Sequence, residues 1–167
     1  YGFDAISLMP TNLYGPGDNY DSLNSHVMAA FIKKFYEAKK HNLTSVTCWG
    51  TGTPYREFLH VDDLAEAAIF ALKHWYPNSK DSPRDSFGNP LTHLNVGTGK
   101  DITIKELALK VAKACKYQGE IKWDLSRPDG TPKKKLNISK MKELGWESKI
   151  SIDNGIRSSI EDYSTRY

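Results

Sequence analysis

An imidazole, whose ordinary pKa lies near the working pH, is the side chain best suited to general acid/base chemistry, and His26 stands at the start of an amphipathic segment. Read by itself, a histidine there is more often a neighbour of the helix cap or a solvated residue. Trp49 precedes the turn Gly50-Thr51-Gly52-Thr53-Pro54, which sets a residue type usually found in the core beside a loop that could open onto a ligand. Arg56 and Glu57 read as a surface ion pair that would add little to stability. Lys133-Lys134-Lys135 and the lysines from Lys33 to Lys40 read as solvated faces. Asp62-Asp63 reads as a helix-capping pair, and with no His or Cys at metal spacing beside it no metal is expected. Gly97-Thr98-Gly99 runs on into Lys100 and Asp101 and lacks the third glycine of a dinucleotide-binding loop.

The elements that must hold these residues alternate between strand and helix. Ala5–Met9 reads as a buried strand stopped by Pro10, followed by a turn-rich loop from Thr11 to Ser25. From Ser25 onward Val27, Phe31 and Phe35 recur at helical spacing, with lysines gathered toward the end. Ser45–Trp49 and Arg56–His60 read as strands around the glycine turn. A helix carrying Leu64, Ala68, Ala71 and Leu72 follows, capped by Asp62 or Asp63. Pro77 to Pro90 reads as a surface loop. His93–Val96 is a brief strand, and Thr103-Ile104-Lys105-Glu106 is a capping box opening a helix through about Cys115. Glu120–Asp124 is a further strand, and Ser126 to Lys135 a polar loop. Ser139 caps a short helix that stops at Gly145, and Ser151 opens a last helix toward Tyr163. This pattern is α/β, with too few strands for a complete doubly wound sheet.

With 167 residues the chain is long enough for one domain, and its 39% hydrophobic and 26% charged content is that of a soluble globular protein without a membrane span. A balance of 23 basic against 20 acidic residues, net +3, predicts no nucleic-acid partner. Cys48 and Cys115 sit in apolar company and read as reduced, buried thiols of a cytoplasmic protein. The chain opens on Tyr1 rather than Met and shows no signal peptide, so it is expected to be cut from a longer one.

Several runs together resemble the GDP-L-fucose synthases, members of the extended short-chain dehydrogenase/reductase class. They are Met9-Pro10-Thr11-Asn12-Leu13-Tyr14-Gly15-Pro16, Asn24-Ser25-His26-Val27, Trp49-Gly50-Thr51-Gly52-Thr53-Pro54, Arg56-Glu57-Phe58-Leu59-His60-Val61-Asp62-Asp63, Asn95-Val96-Gly97-Thr98-Gly99 and Arg127-Pro128-Asp129-Gly130-Thr131-Pro132-Lys133-Lys134. The tyrosine-glycine-proline and Phe58–Asp63 pieces are shared with many nucleotide-sugar enzymes. The Asn24–His26 and Pro128–Pro132 pieces narrow the likeness to fucose synthase.

The resemblance implies a C-terminal part of such an enzyme: the last strands and helix of a Rossmann-type sheet plus a small α/β substrate domain. One domain would then span residues 1–167, with 1–16, about 56–75 and 93–99 belonging to an incomplete NADP-binding portion. It implies an enzyme that epimerises GDP-4-keto-6-deoxy-D-mannose at two carbons and reduces it with NADPH to GDP-L-fucose, commonly as a cytoplasmic homodimer. His26 would be one acid/base group of the epimerisation, its cysteine partner lying before Tyr1. Pro10, Thr11, Asn12, Leu13 and His26 would approach the nicotinamide of NADP. Lys34, Trp49, Arg56, Asp129 and Lys134 would contact the GDP-sugar, with Lys34 in place of a frequent arginine and so without its two-pronged grip on phosphate. The family's reducing set of Ser, Tyr and a Lys four residues later is read as absent, since Ala5 stands four residues after Tyr1. On that reading the chain alone would bind NADP weakly and be inactive. The competing readings are another nucleotide-sugar epimerase or dehydratase, and a binding module that pairs through an exposed sheet edge.

Overall fold

The structure, a computed structural model, describes residues 4–21 and 24–167. The readings of Tyr1 and of the first three positions of segment 1–16 lie outside the described residues. In chain order the elements are β1 (Ser7–Pro10), β2 (Asn12–Tyr14), α1 (Val27–Lys40), β3 (Ser45–Trp49), β4 (Tyr55–His60), α2 (Val61–His74), β5 (His93–Val96), β6 (Asp101–Thr103), α3 (Ile104–Ala114), β7 (Glu120–Asp124), β8 (Lys133–Lys134), α4 (Ser139–Glu143) and α5 (Ile152–Arg166).

Strand alternation along β4 divides the molecule. Successive side chains of a strand point to opposite faces. Phe58 enters a core built with Phe35, Leu107, Val111 and Ile156 from the helices α1, α3 and α5. Leu59, the next residue, enters a second core with Leu94, Val96, Met141 and Trp146. Each fully buried side chain of this size contributes roughly 1.5–3 kcal/mol by leaving water. Parallel pairing joins β1 to β5, β2 to β4, β3 to β7 and β4 to β8, while β4 and β6 are antiparallel.

Eight strands and five helices among the described residues correct the expected remnant of a few last strands and a helix. Three of the strands, β2, β6 and β8, are two or three residues long. That is too short for any periodicity to mark them, and two of them lie inside segments expected to be loops. The expected buried strand Ala5–Met9 is instead Ser7–Pro10 and mostly exposed, with Met9 at 51%, because among the described residues only β5 pairs with it. Helix α1 begins at Val27, with His26 at its N-cap position. The Thr103–Glu106 capping box forms in full, and Ser151 caps α5 by accepting from Asn154 N. Neither Asp62 nor Asp63 caps α2: His60 does, its Nδ1 accepting from Asp62 N. Buried Asp63 instead accepts the backbone N–H groups of Lys149 and Ile150, each at 3.0 Å, and pins the approach to α5. Leu72, expected on the inner face of α2, is 78% exposed, and Ala67 and Ala71 face the core.

Glu57 is not part of a surface ion pair. It is fully buried. Its Oε1 accepts from Gly99 N at 2.7 Å and from Thr98 Oγ1 at 3.4 Å, and its Oε2 accepts from Leu136 N at 2.8 Å. A side chain on Gly97 would overlap Oε1, so glycine is required there by space. The Glu57 carbonyl accepts from Thr11 Oγ1 at 3.2 Å and Asn12 Nδ2 at 2.7 Å. One residue thus ties β2, β4, the Gly97–Gly99 turn and the chain after β8. Glu57→Gln keeps the shape but turns one accepting oxygen into a donor facing a backbone N–H. It is expected to lower stability by about 1–3 kcal/mol, read as a lower urea midpoint with an unchanged slope.

Candidate functional site

Three of the residues singled out in the sequence meet at one cleft of about 200 Å³, lined by Trp49, Arg56 and Asp129 with Val27, Pro54 and Gly130 among its other walls. Trp49 ends β3, where register sets it opposite Asp124 of β7, and Gly50 N donates to Asp124 O at 3.0 Å. Gly50 then turns the chain at φ +75°, a conformation that favours glycine, and a side chain there would strike Asp129. The Asp129 carboxylate accepts from Thr51 N at 2.9 Å and Thr51 Oγ1 at 2.6 Å, which latches the loop after β7 onto the loop after β3. These hydrogen bonds, the side-chain one first, hold its pKa below the usual carboxylate value.

Arg56 is half-buried, and its Nη1 donates to Tyr55 O at 2.7 Å and to Thr131 O at 2.6 Å. Both Nη1 protons are then in use, leaving Nε and Nη2 for a ligand. Lys34, from α1, donates to Thr47 O at 3.0 Å, and its ammonium lies 5.5 Å from the centre of the 63% exposed Trp49 ring. Arg127 stands over the same ring, its Cζ 5.0 Å from the centre. Nothing in the sequence marks Arg127 individually, since cation–ring stacking leaves no trace in residue spacing.

The remaining expected site residues are not among those that line this cleft. His26, exposed, is the residue before Val27, which does line it, and the imidazole is within electrostatic range of Asp18. Lys134 is exposed on β8, in register with Arg56. Pro10 ends β1. Thr11 Oγ1 and one N–H of Asn12 Nδ2 donate to the Glu57 carbonyl, and Leu13 is half-buried in β2.

Gly99 N, in the Gly97–Gly99 turn, donates to the Glu57 carboxylate, and Thr11 Oγ1 and one N–H of Asn12 Nδ2 donate to the Glu57 carbonyl. The Tyr-x-x-x-Lys spacing does occur, at Tyr36/Lys40 and Tyr76/Lys80. Tyr36 packs edge-on against Tyr163 at 5.2 Å, and Tyr76 lies two residues after α2; neither lines the cleft. Cys48 and Cys115 are buried and unpaired, and burial pushes the Cys115 thiol up to about 12. No helix among the described residues is long and apolar enough to cross a membrane.

Residues 1–86 match the NAD dependent epimerase/dehydratase family, and the chain belongs to that family. It is 49% identical over 163 residues to the probable GDP-L-fucose synthase 1 of Oryza sativa subsp. japonica, covering 98% of this chain and 45% of that protein. It is 46% identical over 165 residues to the GDP-L-fucose synthase of Escherichia coli (strain K12), covering 96% and 49%. Among solved structures it resembles a GDP-6-OMe-4-keto-L-xylo-heptose reductase from C. jejuni, with a TM-score of 0.85 and 36% identity over 100% of this chain and 56% of that one. The chain therefore spans about half the length of the curated relatives it matches. The expectation of a C-terminal part is overturned by the family match, which occupies the first 86 residues of this chain, and with it the remnant fold falls.

The Asp129–Thr51 latch gives a pH test. A carboxylate with a depressed folded pKa contributes stability that is present above its unfolded pKa and is lost as pH falls through the folded one. In Thr51→Val the Asp129 carboxyl should titrate closer to 3.8, visible in a carboxyl-carbon NMR titration, and the variant's stability should depend less on pH below that value. An unchanged Asp129 titration would mean that Thr51 does not hold it.

Proposed function

We propose that this chain supplies the GDP-sugar site of an enzyme that turns GDP-4-keto-6-deoxy-D-mannose into GDP-L-fucose, by epimerisation and NADPH-dependent reduction. The observation that carries this reading is the meeting of Trp49, Arg56 and Asp129 at one cleft, with Lys34 beside the indole. An exposed aromatic face suits a base, and fixed cations with unused donors suit a diphosphate. The relatives in Oryza sativa and Escherichia coli, both named GDP-L-fucose synthases, support the same substrate.

Epimerisation removes a proton from a carbon next to a carbonyl and returns one on the opposite face, so it needs an acid/base group on each side of the ring. His26, exposed at the head of α1 beside the cleft wall, supplies one of them. The second is neither Cys48 nor Cys115, whose thiols are buried. NADP would supply the hydride in the whole enzyme, and this chain, which spans about half the length of its relatives, is expected alone to bind substrate without turning it over. A second reading, a GDP-sugar reductase, is favoured by the likeness to the heptose reductase. The two differ in whether solvent deuterium enters the sugar carbons flanking the ketone, which a reductase alone would not exchange.

Calorimetric titration tests the shared part of both readings. The chain should bind GDP in preference to UDP, and Arg56→Ala should weaken GDP by about tenfold or more, as loss of charge-assisted hydrogen bonds to phosphate requires. Arg56→Lys, which keeps the charge without the fork, should fall between. GDP binding that is indifferent to Arg56 would sink the assignment of this cleft.

A further inference from the structure

Two cations share one exposed ring at Trp49, and they are held very differently. The Lys34 ammonium is tied to Thr47 O at 3.0 Å. Arg127 is anchored through its backbone, its N donating to Asp124 O at 3.3 Å, while its side chain is 58% exposed and, apart from the Trp49 ring, its one charged contact is Asp124 Oδ2, 3.8 Å from Nε. Asp124 is not free to follow it, since Ser126 N and Ser126 Oγ occupy its other oxygen at 3.0 and 2.6 Å. Nη1 and Nη2 of Arg127 have no hydrogen-bond partner among the described residues. The loop that carries Arg127 is itself fixed two residues later, where Asp129 grips Thr51. The result is a planar, two-pronged donor set on a fixed stem, poised over a flat aromatic platform, with its donors unspent.

A planar base stacked on Trp49 would displace the guanidinium sideways, toward the base edge. Among nucleobases guanine offers two adjacent acceptors there, O6 and N7, which match the spacing of an arginine fork; adenine has a donor in place of O6, and uracil has no such pair. Lys34 stands over the same ring, but its ammonium is a point charge tied to Thr47 O, whereas Arg127 brings a planar fork with unspent donors, which fits a pair of acceptors on a base edge as a point charge does not. Resting on the nucleotide-sugar reading above, we propose that Arg127 is a specificity-determining residue: its guanidinium donates to O6 and N7 of a guanine stacked on Trp49, and so selects guanosine over other nucleoside diphosphates. Stacking supplies affinity that any base can share, and the fork supplies the discrimination.

The test is calorimetric titration of the chain, and of Arg127→Ala and Arg127→Lys, with GDP, IDP, ADP and UDP. Thermal melting confirms that each variant is folded, as expected at an exposed side chain. Inosine keeps O6 and N7 and lacks only the 2-amino group, so wild type should bind GDP and IDP alike and ADP and UDP about tenfold more weakly. Both variants should lose about that tenfold for GDP and IDP and change by less than twofold for UDP. Equal weakening of all four by Arg127→Ala, with Arg127→Lys restoring them, would show a mere phosphate cation and overturn the inference. So would selectivity that survives in both variants, or IDP binding as poorly as ADP, which would place the reading at the 2-amino group. A wild-type chain that binds none of the four overturns the nucleotide-sugar reading and this inference with it, whereas selective wild-type binding untouched by Arg127 overturns the inference alone.

Discussion

A carboxylate removed from water must be met by donors on every side that counts, and the burial of Glu57 sets the terms for the rest of this structure. Its oxygens draw in Gly99 N, Thr98 Oγ1 and Leu136 N, segments far apart in the chain, and no side chain can stand at Gly97 without striking it. Its own carbonyl collects Thr11 and, from β2, Asn12. A charge buried without these partners would cost several kcal/mol, so the turn, β2 and the run after β8 are held together or not at all. Backbone donors also explain why the acid does not need the arginine beside it: strand alternation sends Arg56 to the opposite face, where it is left for other work.

That division recurs through the site. β4 is the wall between two cores, and the loops around the cleft are fixed by side chains that bond to backbone. Asp129 closes on Thr51 across a separation of 78 residues. Arg56 closes on Thr131 O across 75. Asp63 closes on the two amides before α5. Loops held this way keep their shape without strands of their own, which is what a binding loop needs if its side chains are to stay in place as a ligand arrives.

The parts of this arrangement that were legible in sequence are those with a local cause. The Thr103–Glu106 capping box, the Ser151 cap and the strands Ser45–Trp49 and Glu120–Asp124 follow from residue type at short spacing, and they form. The short strands β2, β6 and β8 have no local cause: each exists because β4 offers it partners, so nothing in Asn12–Tyr14 or Lys133–Lys134 announces it. Glu57 was misleading for the same reason. Beside an arginine it looks like half of a surface pair, and only the three-dimensional neighbours show it to be a buried hub. Asp62 and Asp63 look alike in sequence, yet one is exposed and the other grips α5's approach. Trp49, Arg56 and Asp129 were brought together by resemblance, because residues from three separate loops and strands share no spacing that could reveal a common cleft.

What the free protein does with its cations bears on how it would meet an anion. Both Nη1 protons of Arg56 are spent on carbonyls, which fixes the plane of the guanidinium and turns its remaining edge outward. Lys34 spends one ammonium donor on Thr47 O and keeps the others. Anchoring of this kind removes rotamer freedom before any ligand binds, so less entropy is lost at the encounter, and an immobilised long side chain otherwise costs about 0.5–1.5 kcal/mol. It also holds like charges near one another at Trp49, a repulsion that the arrival of negative charge relieves. Pre-set geometry and relieved repulsion act in the same direction, and they favour a ligand that carries its negative charge a short distance from a flat ring.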